Sequence, residues 1–230
     1  MKKIHRFLTH HIPPDESFAL SSPEQVRQIS VVLGMKPGEN LILFENGGAD
    51  IVVEIVGIDK ETVTVKKLMS NPVTPVPRKL IAAVAITKGD TFEWVVQKLT
   101  EIGVSEIVPI ISTRTVKQDV RIERLQNISN EALELCGGNQ VVTIHPPIAL
   151  AECQEKFQIP AVVFDTATTQ VTPPVLPHEL IMYLGPEGGW DNDERASFAS
   201  AGVQVLSLGP RMMRTETAAV VGAYTLLWHS

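Results

Sequence analysis

Residues 71–77 hold three prolines in seven positions, and the hydrophobic period of the chain differs on the two sides of them. Proline fixes φ and removes a backbone donor, so neither a strand ladder nor a helix runs easily through such a stretch. Two domains are therefore expected, 1–71 and 78–230, joined by a linker at 72–77. Ahead of the linker, apolar runs at 39–44, 51–56 and 62–65 alternate with period two. Asn46-Gly47-Gly48 and Asp59-Lys60 separate them as turns, which predicts a small antiparallel β-barrel interrupted by a helix at 22–33.

Beyond the linker, strand and helix patterns alternate. Strands are expected at 80–86, 106–111, 161–164, 180–184 and 203–208, and helices at 90–103, 119–136, 191–201 and 215–228. The first of these helices has Phe92, Val95, Val96, Leu99 and Ile102 at helical spacing, Asp90 and Glu93 as a capping box, and Gly103 as a stop. Such alternation predicts an α/β fold with a mostly parallel sheet and helices on both faces. Trp94, Trp190 and Trp228 are expected in the core.

Composition narrows the function. Hydrophobic residues make up 44% of the 230 positions, which implies a well-buried core, and no apolar run reaches membrane-spanning length. Cys136 and Cys153 lack metal or disulfide spacing, so a cytoplasmic protein with reduced thiols and no metal is expected. The net charge is −6, but residues 1–124 carry 16 basic and 15 acidic groups while residues 125–230 carry 4 and 11. Any nucleic-acid contact is therefore expected on the first half, with Arg211 and Arg214 as additions from the second.

The Rossmann, P-loop and nucleophile-elbow patterns are absent. What remains is a duplication: Leu-Gly-Pro at 184–186 recurs twenty-four positions later at 208–210, each time after an apolar run. Ligands of α/β sheets bind at the carboxyl ends of strands, and two strands ending alike are expected to set their turns side by side. Glycine permits close approach to the main chain and proline stiffens it, so the turns present a rigid surface of N–H and C=O groups. In the first turn the candidates for binding are Leu184, Gly185, Pro186, Glu187, Gly188 and Gly189; in the second they are Leu208, Gly209, Arg211, Met213, Thr215 and Ala218. Main-chain groups there can read the polar edge of a flat ligand while Leu184, Leu208 and Met213 cover its faces.

These turns, with His5-Arg6-Phe7, Lys88-Gly89-Asp90, the stretch Glu93-Trp94-Val95-Val96-Gln97-Lys98-Leu99-Thr100-Glu101-Ile102-Gly103 and Arg211-Met212-Met213-Arg214-Thr215-Glu216-Thr217-Ala218, resemble the ribosomal RNA small subunit methyltransferase E family of the SPOUT superfamily. The resemblance spans nearly the whole chain. It implies a PUA-like RNA-binding barrel followed by a SPOUT domain with a deep trefoil knot. It also implies S-adenosyl-L-methionine as cofactor, methylation of uridine N3 in 16S rRNA of the small ribosomal subunit, and a homodimer. RNA contacts are then expected from His5, Arg6, Arg27, Lys88, Arg114 and Lys117. Arg214 is the candidate for stabilising charge on the uracil, or else forms a salt bridge with Glu216 or Glu187. Glu216 and Thr217 are catalytic candidates beside bland readings as a first-turn carboxylate and a packing residue, and Thr215 is the expected N-cap. The chain departs from the family where Gly34 and Gly138 replace arginines, and around 112–117. Those departures keep open a second reading, a non-catalytic RNA-binding protein on the same scaffold or a methyltransferase with another RNA target.

Overall fold

The computed structural model describes residues 4–116, 119–170 and 176–228. Within it the chain forms two compact units, one of residues 4–74 together with Leu133–Val141, the other of residues 75–132 and 142–228. The first therefore takes in a segment that the helical pattern at 119–136 assigns to the other side of the linker.

The smaller unit contains β1 (Arg6–Leu8), β2 (Ser17–Leu20), helix α1 (Pro23–Arg27) running into a π-helical turn at Gln28–Val32, β3 (Asn40–Phe44), β4 (Asp50–Ile58) and β5 (Val63–Asn71). Its five-stranded sheet has the order β1-β3-β4-β5-β2. The pairs β3–β4 and β4–β5 are antiparallel, as their short turns require, and β2–β5 is antiparallel too, but β1 lies parallel to β3, contrary to the all-antiparallel expectation. Alternate residues Leu41, Leu43, Val53, Ile55, Val63 and Val65 are fully buried against Phe7, Val26 and Ile29.

In the larger unit β6 (Lys79–Ala85), α2 (Thr91–Ile102), β7 (Glu106–Ile111), α3 (Ile122–Cys136, of which the residues from Leu133 on belong to the smaller unit), β8 (Thr143–Ile144), β9 (Ile148–Ala149), α4 (Leu150–Lys156), β10 (Ala161–Phe164), β11 (Glu179–Leu184), α5 (Asn192–Ser200), β12 (Gln204–Leu206) and α6 (Thr215–Trp228) follow in turn. The sheet order is β12-β10-β11-β6-β7-β8, with β9 also on β7, and the pairings are parallel. Strands buried on both faces read as continuous apolar runs, as β6 and β11 do. Their period of two sends Leu80, Ala82, Val84, Leu180, Met182 and Leu184 to one face, beneath α2 and α6. The alternate residues Ile81, Ala83, Ile181 and Tyr183 go to the other, beneath α4 and α5.

Gly222 lets α6 lie close over β10: a Cβ there would stand 2.6 Å from the Phe164 ring. Two details differ from expectation. Asp90 stands at the N-cap of α2 without a side-chain capping bond. Trp190 is buried at 2% exposure, whereas Trp94 and Trp228 are each 43% exposed, the latter held by its indole N–H donating to the Ile102 carbonyl at 3.1 Å.

Candidate functional site

The two Leu-Gly-Pro strands do not pair with each other. β11 and β12 both pair with β10, which lies between them, so the two turns stand about 10 Å apart at the carboxyl edge, two strand spacings of roughly 4.8 Å. That gap is a cavity of about 530 Å³. It is walled by the first turn from Leu184 to Gly189, the second from Leu208 through Gly209, Arg211, Met213, Arg214, Thr215 and Ala218, and the end of β10. Each main-chain candidate from the two turns is in this lining. Gly189 and Gly209 have φ of +67° and +114°, values that L side chains rarely adopt, which is why these bends carry glycine.

Met212 of the second turn and residues without a sequence motif complete the wall, the latter being Phe164, Asp165, Thr166, Trp190, Arg195 and Ser207. Trp190 is the floor under the first turn, its ring 3.0 Å from where a Gly185 Cβ would be, and its indole N–H donates to the Phe164 carbonyl at 3.1 Å. Asp165 receives Arg195 Nε at 2.7 Å and Nη2 at 3.3 Å. Burial pushes the Asp165 carboxyl up, but the Arg195 guanidinium and the Ala167 amide outweigh it and hold it below the usual aspartate range. A depressed folded pKa means stability that is present above the unfolded value of about 3.9 and is lost as pH falls through the folded one. Acid titration of melting should therefore show wild type more stable than Asp165→Asn near neutrality, with the gap closing below about pH 4; a pH-independent gap would exclude the ion pair as its source.

The second turn leads into α6. The first intrahelical bond runs from the Ala218 amide to the Arg214 carbonyl at 2.9 Å, which makes Arg214 the N-cap position in place of Thr215. Thr215 is buried, and its hydroxyl donates to the Gly185 carbonyl at 3.3 Å, tying the second turn to the first. The Arg214 side chain is 87% exposed at the cavity rim and comes no nearer than 4.0 Å to Glu216 Oε1. Glu216 and Thr217, the other catalytic candidates, are not among the lining residues.

The basic residues expected on RNA are placed differently from one another. Arg27 and Lys88 are exposed and His5 is half-buried. Arg27 lines a cleft of about 470 Å³ in the smaller unit together with Lys60. Arg6 is a correction: its guanidinium donates to both Asp50 oxygens and to the carbonyls of Leu133 and Gly138, so it is bound internally. Arg114 donates to the Gly188 carbonyl beside the cavity at 2.6 Å. Lys117 lies outside the described residues.

Comparison with known proteins follows this geometry. The family model for an RNA methyltransferase domain matches residues 74–227. The Ribosomal RNA small subunit methyltransferase E of Bacillus subtilis is 28% identical over 214 residues, covering 85% of this chain and 84% of its own length. Among solved structures, a Ribosomal RNA small subunit methyltransferase E from Neisseria gonorrhoeae bound to S-adenosyl methionine superposes with a TM-score of 0.89 at 27% identity over 98% of each chain. A methyltransferase from Legionella pneumophila in complex with bound SAM gives 0.87 at 30% identity over 97% of each.

Proposed function

Because the chain belongs to the RNA methyltransferase domain family, we propose that it is an S-adenosylmethionine-dependent methyltransferase acting on N3 of a uridine in 16S rRNA of the small ribosomal subunit. The observation that carries this reading is the cavity formed where two glycine turns and the end of β10 meet, with an exposed arginine at its rim. Its lining suits the cofactor. Leu184, Leu208, Met213 and Ala218 offer apolar cover to an adenine, and the main chain of both turns offers donors and acceptors for its edge. Glu187 supplies a carboxylate that attracts a cationic ligand.

When bound, the cofactor supplies a methyl group on a sulfonium sulfur. The protein's own contribution is position and charge. Loss of the uridine N3 proton to solvent leaves negative charge spread over N3 and the flanking carbonyl oxygens, and the N3 electron pair then takes the methyl group as the methyl–sulfur bond breaks with its electrons left on sulfur. Arg214 stabilises that charge from the head of α6, where the helix end adds a positive partial charge.

The same reading assigns the smaller unit as a PUA-like RNA-binding barrel, supported by exposed Arg27 and Lys60. It assigns a trefoil knot to the larger unit, supported by the path of the chain. After β12 at one edge, α6 returns to pack on β11 and β6, while the segment after β10 is bonded to that return at Ser207 through Gln170. A homodimer in the cytoplasm completes it, with exposed Trp94 and Trp228 on the packed helices α2 and α6 as the apolar contribution.

The test is methyl transfer to 16S rRNA and to assembled small subunits, with the modified position mapped. A uridine methylated at N3 is expected. Cofactor and RNA binding without transfer would leave a non-catalytic RNA-binding protein, and methylation of another atom or another RNA would overturn the target.

A further inference from the structure

We propose that Arg114 is a positioning residue for the cofactor: it holds the Gly188–Gly189 turn in the shape that the ligand meets, and so makes cofactor affinity depend on the loop after β7. This deepens the reading of the cavity as an S-adenosylmethionine site and rests on it.

Arg114 Nη1 donates to the Gly188 carbonyl at 2.6 Å and to that of Trp190 at 3.5 Å. Its aliphatic stem lies against the same glycine, since a Cβ on Gly188 would be 3.1 Å from Arg114 Cδ and 3.3 Å from its Cβ. The neighbouring residue continues the attachment. The Thr113 amide donates to Glu194 Oε1 at 2.9 Å, and the other Glu194 oxygen receives the Asp191 amide at 2.8 Å. The Glu194 amide, and next the Thr113 hydroxyl, hold the Asp191 carboxyl below its ordinary range. The loop after β7 and the loop after β11 are thus one hydrogen-bonded body, and Gly188 and Gly189 present its opposite side to the cavity.

A turn with glycines at successive positions has many conformations open to it, and ordering them on binding weakens affinity. A charge-assisted bond to its central carbonyl removes that freedom beforehand. The role therefore acts through Gly188 on binding, and only through binding on rate. An Arg114 spent in this way is distinct from one reserved for RNA phosphates, and the two assignments separate by experiment.

Arg114→Ala should weaken S-adenosylmethionine about tenfold by calorimetry, the effect of losing one hydrogen bond to a charged group. It should raise KM for the cofactor while leaving kcat at saturation and RNA affinity near wild type. In the ligand-free protein, exchange of the Gly189 amide, which donates to the Pro186 carbonyl at 2.8 Å, should accelerate. Arg114→Lys should recover part of the affinity, because one ammonium can still reach one carbonyl. Gly188→Ala should weaken binding in the presence of Arg114, whose stem it presses, and cost less in the Arg114→Ala background, where the 3.1 Å approach to Cδ is gone and only the 3.3 Å approach to Cβ stays. Unchanged cofactor affinity with weakened RNA binding would make Arg114 an RNA contact and overturn the proposal. An equal collapse of melting temperature in the Ala and Lys variants would make it a general structural residue and do the same. Wild type that binds no S-adenosylmethionine would sink the reading of the cavity instead, and Gly189 exchange would still decide whether Arg114 orders the turn.

Discussion

Arg214→Ala should lower kcat for methyl transfer by roughly 10²–10³, the loss typical of removing one preorganised donor from a developing anion. Melting temperature and cofactor affinity should stay close to wild type. The structure separates these readouts because the guanidinium makes little contact with the rest of the chain. Its side chain is 87% exposed, and Glu216 is 4.0 Å away. Exposed pairs contribute about 0–1 kcal/mol, so little folding energy is at stake. The capping contribution of residue 214 comes from its carbonyl, which accepts the Ala218 amide and survives substitution. Lysine should rescue in part, since an ammonium supplies charge but not the planar fork that spans a ring nitrogen and a carbonyl oxygen. Single-turnover methylation measured beside thermal unfolding decides the matter: a destabilised variant with normal turnover would remove Arg214 from the mechanism.

The parts of this molecule that sequence reveals are those whose signal is local. α6 and β7 match the predicted spans, 215–228 and 106–111, because a long apolar helix after a charged turn and a buried strand ahead of a helix announce themselves. β8 and β9 are two residues each, too short to show any period, and α4, with seven residues, has at its N-cap Ala149, which lacks a capping side chain; all three escaped the pattern. The parallel pairing of β1 with β3 and the siding of 133–141 with the smaller unit are set by partners far away in sequence, which no window detects. The site divides in the same way. Its two turns are legible because main-chain recognition leaves glycine and proline in the sequence. Asp165 and Arg195 are thirty residues apart, and only the position of β10 between β11 and β12 reveals that they share the cavity. The two turns do line one cavity, but the expectation that they stand side by side fails, because β10 lies between their strands.

Arg6, which the family resemblance assigns to RNA, has four internal hydrogen bonds in the structure: to Asp50 through Nε at 3.1 Å and Nη2 at 2.7 Å, to the Leu133 carbonyl at 3.0 Å and to the Gly138 carbonyl at 2.9 Å. Its guanidinium also lies 4.3 Å from the centre of the Phe44 ring. The Arg6 and Asp50 side chains are only 9% and 16% exposed. Removing one partner from such a pair leaves a desolvated charge behind and strands the carbonyls of 133–141, which gives an expected cost of about 3 kcal/mol. For a unit of this size that corresponds to a fall in melting temperature of more than about 10 °C. Arg6→Ala should show it in the transition of the smaller unit, Arg6→Lys should recover only a fraction because one ammonium cannot serve three groups, and Asp50→Asn should cost less because the carbonyl bonds remain. Below its melting temperature each variant should bind RNA as wild type does. RNA affinity that falls in Arg6→Ala while the melting curve stays in place would show that the guanidinium serves the nucleic acid after all.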